Sequence, residues 1–221
     1  MTSELVQNIK DILKLSKEGN EVSDNSSLNS EVLVQLGLPI IAPIPVGRSQ
    51  RIELAMLAVT QGAKVAEIVE LLTWKDFEGF VAGILSENSY SCVESFRRRG
   101  NSEMHGMEID VVGVRGRTII AIDAKMWGVR SGKESALKTA AEKQKTRTLE
   151  LSSELDRLSK KLTSLTSGSF TIFPVLVTWL VEDVELHEGV PVVPIFKLNS
   201  FIHELDNYED LVVNYTGQLS S

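Results

Sequence analysis

Two short apolar segments joined by a tight turn constrain this chain more than any other feature. Residues 107–114 and 117–125 are rich in Val and Ile, and Arg115-Gly116 stands between them. Such segments are typical of β-strands, and a two-residue connection predicts an antiparallel hairpin. Because both segments are so apolar, we expect the hairpin to lie deep in a hydrophobic core.

Charged side chains interrupt this apolar hairpin. If Arg115-Gly116 forms the turn, Asp110 faces Ala121 and Asp123 faces Glu108. Alternate residues of a strand share a face, so one side is predicted to carry Glu108, Asp110, Asp123 and Lys125, and the other side Ile109, Val111, Ile120 and Ile122. Buried carboxylates are costly unless something compensates their charge. A divalent cation would do so.

These residue types suit the hydrolysis of a phosphodiester bond. Asp110 and Asp123, on adjacent strands, can hold Mg²⁺ or Mn²⁺ that keeps most of its waters and takes a phosphate oxygen as a further ligand. One metal-bound water then serves as the nucleophile. Lys125, two residues from Asp123, could orient that water or stabilise charge on the phosphorus oxygens. The alternative is that Asp123 and Lys125 form a solvated strand end.

The remaining chain predicts a helical N-terminal region and an α/β domain. Residues 1–72 comprise an appendage over 1–47, with an amphipathic helix at 4–17 and a Ser/Asn-rich loop at 19–30, and helices at 49–60 and 64–72. Thr73 and Asp76 form a capping-box pattern that starts a further helix at Trp74. The domain over 73–221 contains that helix, the strands 90–97, 107–114 and 117–125, a helix over 132–165, and the strands 171–181 and 192–196.

The segments FEGFVAGIL, EIDVVGV and IAIDAKMW together resemble the PD-(D/E)xK nuclease superfamily. The resemblance covers roughly residues 73–197, and archaeal Holliday junction resolvases and Mrr-type restriction endonucleases are the nearest members it suggests. It implies an α/β, restriction-endonuclease-like fold with a central mixed sheet flanked by helices. It also implies a metal-dependent endonuclease that hydrolyses DNA.

The resemblance also assigns roles to individual residues. Asp110 matches the first motif acid, and Asp123 with Lys125 matches the D/E-x-K element. The carbonyl of Ala124 would be a further metal ligand, and Glu78 matches the acid that such proteins often supply from a preceding helix. Glu78 could instead extend to water along the helix surface.

Three positions bear on how far the resemblance extends. Gln144 occupies the region of a glutamine that is sometimes present in the later helix. Ile109 stands where the motif name has Pro, and Thr148 stands where Tyr often follows the glutamine.

The distribution of charge matters more than its sum. The chain carries a net charge of -7, yet its residues 97–147 contain 12 Lys and Arg against 6 Asp and Glu. This basic stretch is either a solvated surface or a site for a polyanion. Because arginines near a metal site suit contacts with a phosphate backbone, the predicted nucleic-acid-binding residues are Arg97, Arg98, Arg99, Arg130 and Lys133.

A leucine stripe in the predicted helix over 132–165 leaves two alternatives open. Leu151, Leu155, Leu158, Leu162 and Leu165 follow a spacing that resembles a coiled-coil seam. A single helix of that length would project beyond an ordinary sheet. The stripe either packs on the protein's own core or joins two copies in a homodimer.

Several function classes can be set aside. The sequence has no apolar run long enough to span a bilayer and no signal peptide, so we expect a cytoplasmic protein. Cys92 is single and is interpreted as a packing residue. The predicted function is a DNA endonuclease. One alternative is a catalytically inactive DNA-binding or assembly module on the same fold, and another is a helical regulator that uses residues 49–72 as a helix-turn-helix.

Overall fold

A computed structural model gives the fold for residues 2–100, 105–127, 132–163 and 165–220. The chain divides into two units, residues 1–80 and 81–221. The boundary between them falls inside one helix, Trp74–Glu87.

Helices make up most of the N-terminal unit, as the sequence predicts. Its elements are α1 (Thr2–Leu15), β1 (Glu21–Val22), α2 (Ser30–Gln35), β2 (Ile44–Pro45), α3 (Arg48–Thr60), α4 (Val65–Val69) and the first part of α5 (Trp74–Glu87). β1 and β2 form an antiparallel ribbon. The sequence pattern missed α2, which begins after Asn29 because the Asn29 side chain accepts hydrogen bonds from the backbone N–H groups of Glu31 and Val32.

A buried arginine links the helices of this unit. The Arg51 side chain is only 1% exposed and its Nε donates to Asp76 at 3.0 Å. The other guanidinium nitrogens donate to the Leu13 carbonyl, the Ser16 hydroxyl and the Leu71 carbonyl. Every one of these partners lies within the N-terminal unit, so Arg51 connects α1, the end of α4 and the start of α5.

The start of α5 confirms the predicted capping box. The backbone N–H of Thr73 donates to Asp76 Oδ2 at 2.9 Å, and the backbone N–H of Asp76 donates to Thr73 Oγ1 at 3.2 Å. Two N–H groups that the first turn of a helix leaves without partners are thereby satisfied.

A mixed sheet organises the second unit. Its elements are β3 (Ser91–Arg98), β4 (Met107–Arg115), β5 (Thr118–Lys125), α6 (Lys133–Leu151), α7 (Leu155–Ser159), β6 (Gly168–Thr178), β7 (Leu186–His187), β8 (Val190–Pro194), α8 (Leu198–Glu204) and β9 (Tyr215–Leu219). The described residues form a seven-stranded sheet in the order β3-β4-β5-β6-β8-β7, and β9 pairs with the first half of β6. β5, β6 and β8 are parallel, whereas β3, β4, β7 and β9 pair antiparallel to their neighbours. The predicted α/β class, with a central mixed sheet flanked by helices and a helical N-terminal region, is confirmed.

The central hairpin is present, but its predicted register is wrong. Arg115 pairs with Thr118, so the two turn residues are Gly116 and Arg117 instead of Arg115 and Gly116. Gly116 has a φ of 58°, a left-handed conformation that glycine adopts at little cost. The observed register makes Gly116 the first turn residue, a position that needs a positive φ in both common two-residue hairpin turns. As a result Ala121 opposes Val112, not Asp110.

The strict side-chain alternation predicted for β4 is also wrong. Ile109 packs in the same core cluster as Val112 and Ala121, although alternation would place Ile109 and Val112 on opposite faces. The alternation therefore breaks near Asp110, beside Ser95 of β3, which has a left-handed φ of 49°. The carboxylate of Glu108 lies 2.6 Å from Arg97.

The predicted long helix is divided in two, and its leucine stripe is part of the core. α6 contains 19 residues and ends at Leu151. The core cluster beneath it and α7 includes Leu151, Leu155, Leu158 and Leu162, with Leu165 packed against it. A coiled-coil seam built on these leucines is therefore wrong, because the sheet already buries them. A homodimer remains a prediction without this seam.

Helices cover both faces of the sheet in the second unit. α6 packs on β6 and β8, in the crossover that joins the parallel strands β5 and β6. The last turns of α5 approach the other face, where a Cβ at Gly113 would lie 2.9 Å from Leu85 Cδ1. Among the described helices, none is both long enough and apolar enough to cross a membrane.

Candidate functional site

The predicted motif residues lie where β4 and β5 stop pairing. The described ladder between these strands runs from Arg115↔Thr118 to Val111↔Ile122 and stops before Asp110. β5 continues alongside β6, with Asp123 beside Leu176 and Lys125 beside Thr178. The site thus occupies the carboxyl end of a central parallel strand, which is a common position for ligand sites in α/β folds.

Asp110 is bound to the backbone of β5. Its Oδ2 accepts a hydrogen bond of 2.8 Å from the N–H of Ala124. The predicted acid of β4 and the predicted D-x-K element of β5 are therefore brought together. The hydrogen bond fixes the Asp110 carboxylate against the peptide unit that follows Asp123.

Asp123 is the most buried charged group of this site. It is 2% exposed and has one cation against each carboxylate oxygen. Lys125 Nζ lies 2.5 Å from Oδ2, and Arg147 Nη1 of α6 lies 3.1 Å from Oδ1. A buried carboxylate needs such compensation. The solvated strand end that the sequence left open is wrong for Asp123, because it is enclosed.

α6 contributes a second polar side chain to β5. Gln144 is fully buried, and its Nε2 donates to the carbonyl of Ala121 at 2.8 Å. Its Oε1 has no hydrogen-bond partner among the described residues. Thr148 Oγ1 donates to the Gln144 carbonyl, one turn back along the helix. Gln144 therefore lies next to the site and offers an acceptor oxygen in a buried position.

A cleft of about 550 Å³ opens beside these residues. β5 and the segment after it supply Asp123, Lys125 and Trp127, and α6 with the residue before it supplies Gly132, Ser135, Ala136, Thr139, Ala140, Lys143 and Arg147. Among the described residues, three cationic side chains thus line the cleft together with one carboxylate. This balance favours a bound anion, because charge of one sign in a concave site attracts the opposite sign.

Glu78 belongs to the N-terminal unit. It is buried on α5, and its Oε2 lies 2.8 Å from Lys75 Nζ. The alternative in which Glu78 extends to water is therefore wrong for this residue. Its predicted role as a metal ligand stays a prediction.

The predicted phosphate-binding residues have different surroundings. Arg98 is buried, with its guanidinium 2.6 Å from Glu150 and 3.4 Å from Glu154. This guanidinium is enclosed and bound to two acids of the same unit, and its assignment to nucleic-acid binding stays a prediction. Arg99 is exposed, and Arg97 is exposed beside Glu108.

The Lys133 side chain also contacts other residues of the protein. Its Nζ donates to the Trp127 carbonyl at 2.9 Å and lies 2.6 Å from Glu182 Oε1, and both charged side chains are largely buried. The assignment of Lys133 to nucleic-acid binding stays a prediction. Arg130 lies outside the described residues.

A second group of metal-ligand types lies on the surface of this unit. One ligand atom from each of Glu142, His187 and Glu188 falls within 4.8 Å of the others. His187 Nε2 is 3.1 Å from Glu142, and Lys145 Nζ is 3.1 Å from Glu188. Because Lys145 already compensates Glu188, these contacts are explained as a surface ion-pair network.

Sequence reasoning missed Arg147 and Lys143. They lie one turn apart on α6, so they share a helix face, and both line the cleft. Arg147 is three residues after Gln144, which the sequence had singled out. That spacing was a usable signal for a polar face directed at the site.

Comparison with known proteins gives one clear relative. No family model matches the chain. A protein of Archaeoglobus fulgidus whose name is "Uncharacterized protein" is 30% identical over 137 residues, which is 62% of this chain and 95% of that protein.

Two solved structures were also found. The "Protein of Unknown Function AF1548" has a TM-score of 0.27 and 22% identity over 48% of this chain and 46% of that one. Protein VC1899 from Vibrio cholerae has a TM-score of 0.39 and 14% identity over 95% of this chain and 53% of that one. The match thus spans about half the length of each solved protein. From the sequence identity and coverage of the archaeal relative, the chain belongs to the family of the uncharacterized Archaeoglobus fulgidus protein.

Proposed function

We propose that this protein is a metal-dependent endonuclease that hydrolyses phosphodiester bonds in DNA. The observation that carries the proposal is the convergence of Asp110, Asp123 and Lys125 at the end of β5. They meet beside a cleft whose other described charged residues, Lys143 and Arg147, are cationic. The resemblance to the PD-(D/E)xK nucleases adds support, because these are the residues it assigns to catalysis.

The donor set suits a hard divalent cation. The carboxylates of Asp110 and Asp123 and the carbonyl of Ala124 are oxygen ligands, which Mg²⁺ and Mn²⁺ prefer. When bound, such an ion supplies Lewis acidity toward a phosphate oxygen. Glu78 is the further ligand that the resemblance implies.

The cationic side chains have separate tasks in this proposal. Lys125 stands against Asp123 and can stabilise the negative charge that builds up on the phosphorus oxygens. Arg147 and Lys143 attract the phosphate backbone into the cleft and orient it. Gln144 Oε1 can accept a hydrogen bond from a water in the site. Their combined effect is to position the substrate and to neutralise charge.

One observation favours the alternative of an inactive DNA-binding or assembly module. Both carboxylate oxygens of Asp123 already face a cation, Lys125 on one side and Arg147 on the other. Such a carboxylate is compensated without a metal. The two functions differ in whether Mg²⁺ binds, which can be measured apart from cleavage.

The decisive experiment compares isosteric variants on a panel of substrates. Branched, single-stranded and duplex DNA, with single-stranded RNA beside them, would be incubated with Mg²⁺ or Mn²⁺ and with EDTA. Asp123→Asn and Lys125→Met should each lower cleavage by at least about 100-fold, since each removes a group that acts in the transition state. Asp156→Asn, at an exposed acid of α7, is the matched control and should cleave as wild type.

Circular dichroism and thermal unfolding would establish that each variant is folded. A wild type that cleaves nothing on the panel contradicts the nuclease proposal, and salt-dependent DNA binding without cleavage would favour the inactive module. Cleavage by Asp123→Asn at the wild-type rate would also contradict the nuclease proposal. The substrate that is cut would name the nucleic-acid structure that the enzyme prefers.

A further inference from the structure

An apolar groove lies in the second unit, among β7, β8 and α8. Its volume is about 540 Å³. Its lining is largely apolar and includes Val181, Leu186, Pro191, Phe201, Leu211 and Val212. The proposed nuclease function uses none of these residues. The groove needs a separate explanation because a polar rim around an exposed apolar patch often marks an interaction site.

Large apolar side chains are unusually exposed around this groove. Val181 is 64% exposed and Leu211 is 63% exposed, and both line it. Leu186 lies on the short strand β7 and is also exposed. A single exposed apolar side chain needs no explanation, but three at one groove form a contiguous patch.

The segment that carries the groove is strongly acidic. Residues 181–215 contain eight Asp and Glu and one lysine, Lys197, which gives a net charge of -7. That is as large as the net charge of the whole chain. Since the lining is apolar and its surroundings are acidic, the groove selects for a ligand that is apolar and cationic together.

Two acids stand on the rim with their side chains exposed. Glu185 and Glu204 both line the groove. Glu204 Oε2 accepts a hydrogen bond of 3.0 Å from the Tyr208 hydroxyl, and the Tyr208 ring stacks on Phe201 with centroids 6.1 Å apart. An aromatic pair thus forms part of the groove beside a carboxylate. This arrangement suits a cationic side chain whose aliphatic stem packs on a ring.

The charge excludes several occupants. Nucleic acids and anionic membrane surfaces would meet the same sign of charge. A second copy of the chain would bring an equally acidic segment to the same face in a two-fold contact. A basic segment of a different protein meets neither obstacle. We propose that the groove is a docking site for such a segment, which inserts apolar side chains between Leu186, Phe201 and Leu211 and places Lys or Arg against Glu185 and Glu204.

The test uses the full chain and two defined probes. One is a fluorescein-labelled amphipathic helical peptide of Leu and Lys, and the other is the same peptide with Glu in place of Lys. Fluorescence anisotropy should show binding of the Leu/Lys peptide alone. Leu186→Ser with Leu211→Ser should weaken it by at least about tenfold, as expected for central apolar contacts. Glu185→Lys with Glu204→Lys should have a similar or larger effect.

A charge-matched control separates docking from general attraction. Glu87→Lys with Asp156→Lys reverses two exposed acids of the same unit outside the groove lining. It should leave affinity within about twofold of wild type, because distant surface charges are screened at physiological salt. Hydrogen exchange should show protection by the peptide over β8 and α8.

Three results would overturn the proposal. If the peptide affinity falls equally in the charge-matched control and in Glu185→Lys with Glu204→Lys, only the net charge of the protein matters. If Leu186→Ser with Leu211→Ser leaves the peptide affinity unchanged, the peptide does not bind in the groove. A concentration-dependent dimer of wild type in sedimentation, dispersed by Leu186→Ser with Leu211→Ser, would assign the groove to a second copy.

Discussion

The Asp110 carboxylate accepts a hydrogen bond of 2.8 Å from the backbone N–H of Ala124, just beyond the last described pair of the β4–β5 ladder. A side chain thus satisfies a backbone donor at the point where the strands part. This fixes the Asp110 carboxylate next to the peptide unit after Asp123, with no requirement for a bound ion. The two acids of the proposed site are therefore positioned by the fold.

This hydrogen bond predicts different effects for two substitutions of Asp110. Asp110→Asn retains an acceptor oxygen for Ala124 but removes the charge, so it should leave the free energy of unfolding nearly unchanged and abolish cleavage. Asp110→Ala removes the acceptor as well and should lower the free energy of unfolding by about 1–2 kcal/mol. Urea unfolding of both variants, beside a cleavage assay, measures the difference. Equal stability of the two variants would contradict the structural role.

Arg147 is predicted to oppose metal binding while it assists substrate binding. It faces Asp123 Oδ1, so Arg147→Ala should strengthen the binding of Mg²⁺ or Mn²⁺, because it removes a competing cation. The same variant should weaken DNA binding by removing a phosphate contact in the cleft. Isothermal titration with the metal and anisotropy with DNA measure the two effects. If Arg147→Ala lowers the affinity for the metal as well as the affinity for DNA, Arg147 does not oppose metal binding and the prediction is wrong.

Arg98 and Arg99 are predicted to have different roles although they are adjacent. Arg98→Ala leaves Glu150 and Glu154 without their shared partner and should lower the free energy of unfolding by about 2–4 kcal/mol. Arg99 is exposed, so Arg99→Ala should leave stability unchanged. If Arg99 contacts a phosphate, its loss should reduce the slope of log K against log salt by about one unit. Thermal unfolding and DNA titrations across salt concentrations test both statements.

The stability of the N-terminal unit should depend strongly on Arg51. Arg51→Met removes the cation that compensates buried Asp76 and leaves the Leu13 and Leu71 carbonyls without this donor. We expect a loss of about 3–5 kcal/mol in the free energy of unfolding. Arg48→Met, on the same helix, is the control and should cost less, because the Arg48 side chain, which donates to the Lys75 carbonyl, is only partly buried. A small effect for Arg51→Met would show that apolar packing replaces the network.

Cys92 should react slowly with alkylating reagents at neutral pH. Burial is the main cause that raises the pKa of its thiol, and the charge of Glu94 raises it further, against a hydrogen bond with Ser86. The thiolate is the reactive form, so the rate should rise only above the pH range of an ordinary cysteine. Because the unfolded thiol ionises first, this group disfavours folding as pH rises through the unfolded pKa. Iodoacetamide rates against pH, in buffer and in urea, test this prediction.

The sequence alone determined those features that depend on neighbours along the chain. The helix that begins at Trp74 follows from the Thr73 and Asp76 pair, whose contacts span only three residues. The strands follow from β-branched apolar runs, and the D-x-K spacing from Asp123 to Lys125 follows from the period of two in a strand. These signals are local, so they can be recognised without knowing the fold.

Tertiary structure decided everything that depends on which distant segment lies opposite. The same leucine spacing suits a helix seam or a core stripe, and only the position of the sheet buries Leu158 within its own unit. Adjacent arginines are equivalent in sequence, yet Arg98 is enclosed between two acids and Arg99 is exposed. Arg147 meets Asp123 because α6 crosses back over β5. Charge and burial compensate one another through space, and local sequence patterns do not specify which distant side chains, such as those of α6, the fold brings within a few ångströms of β5.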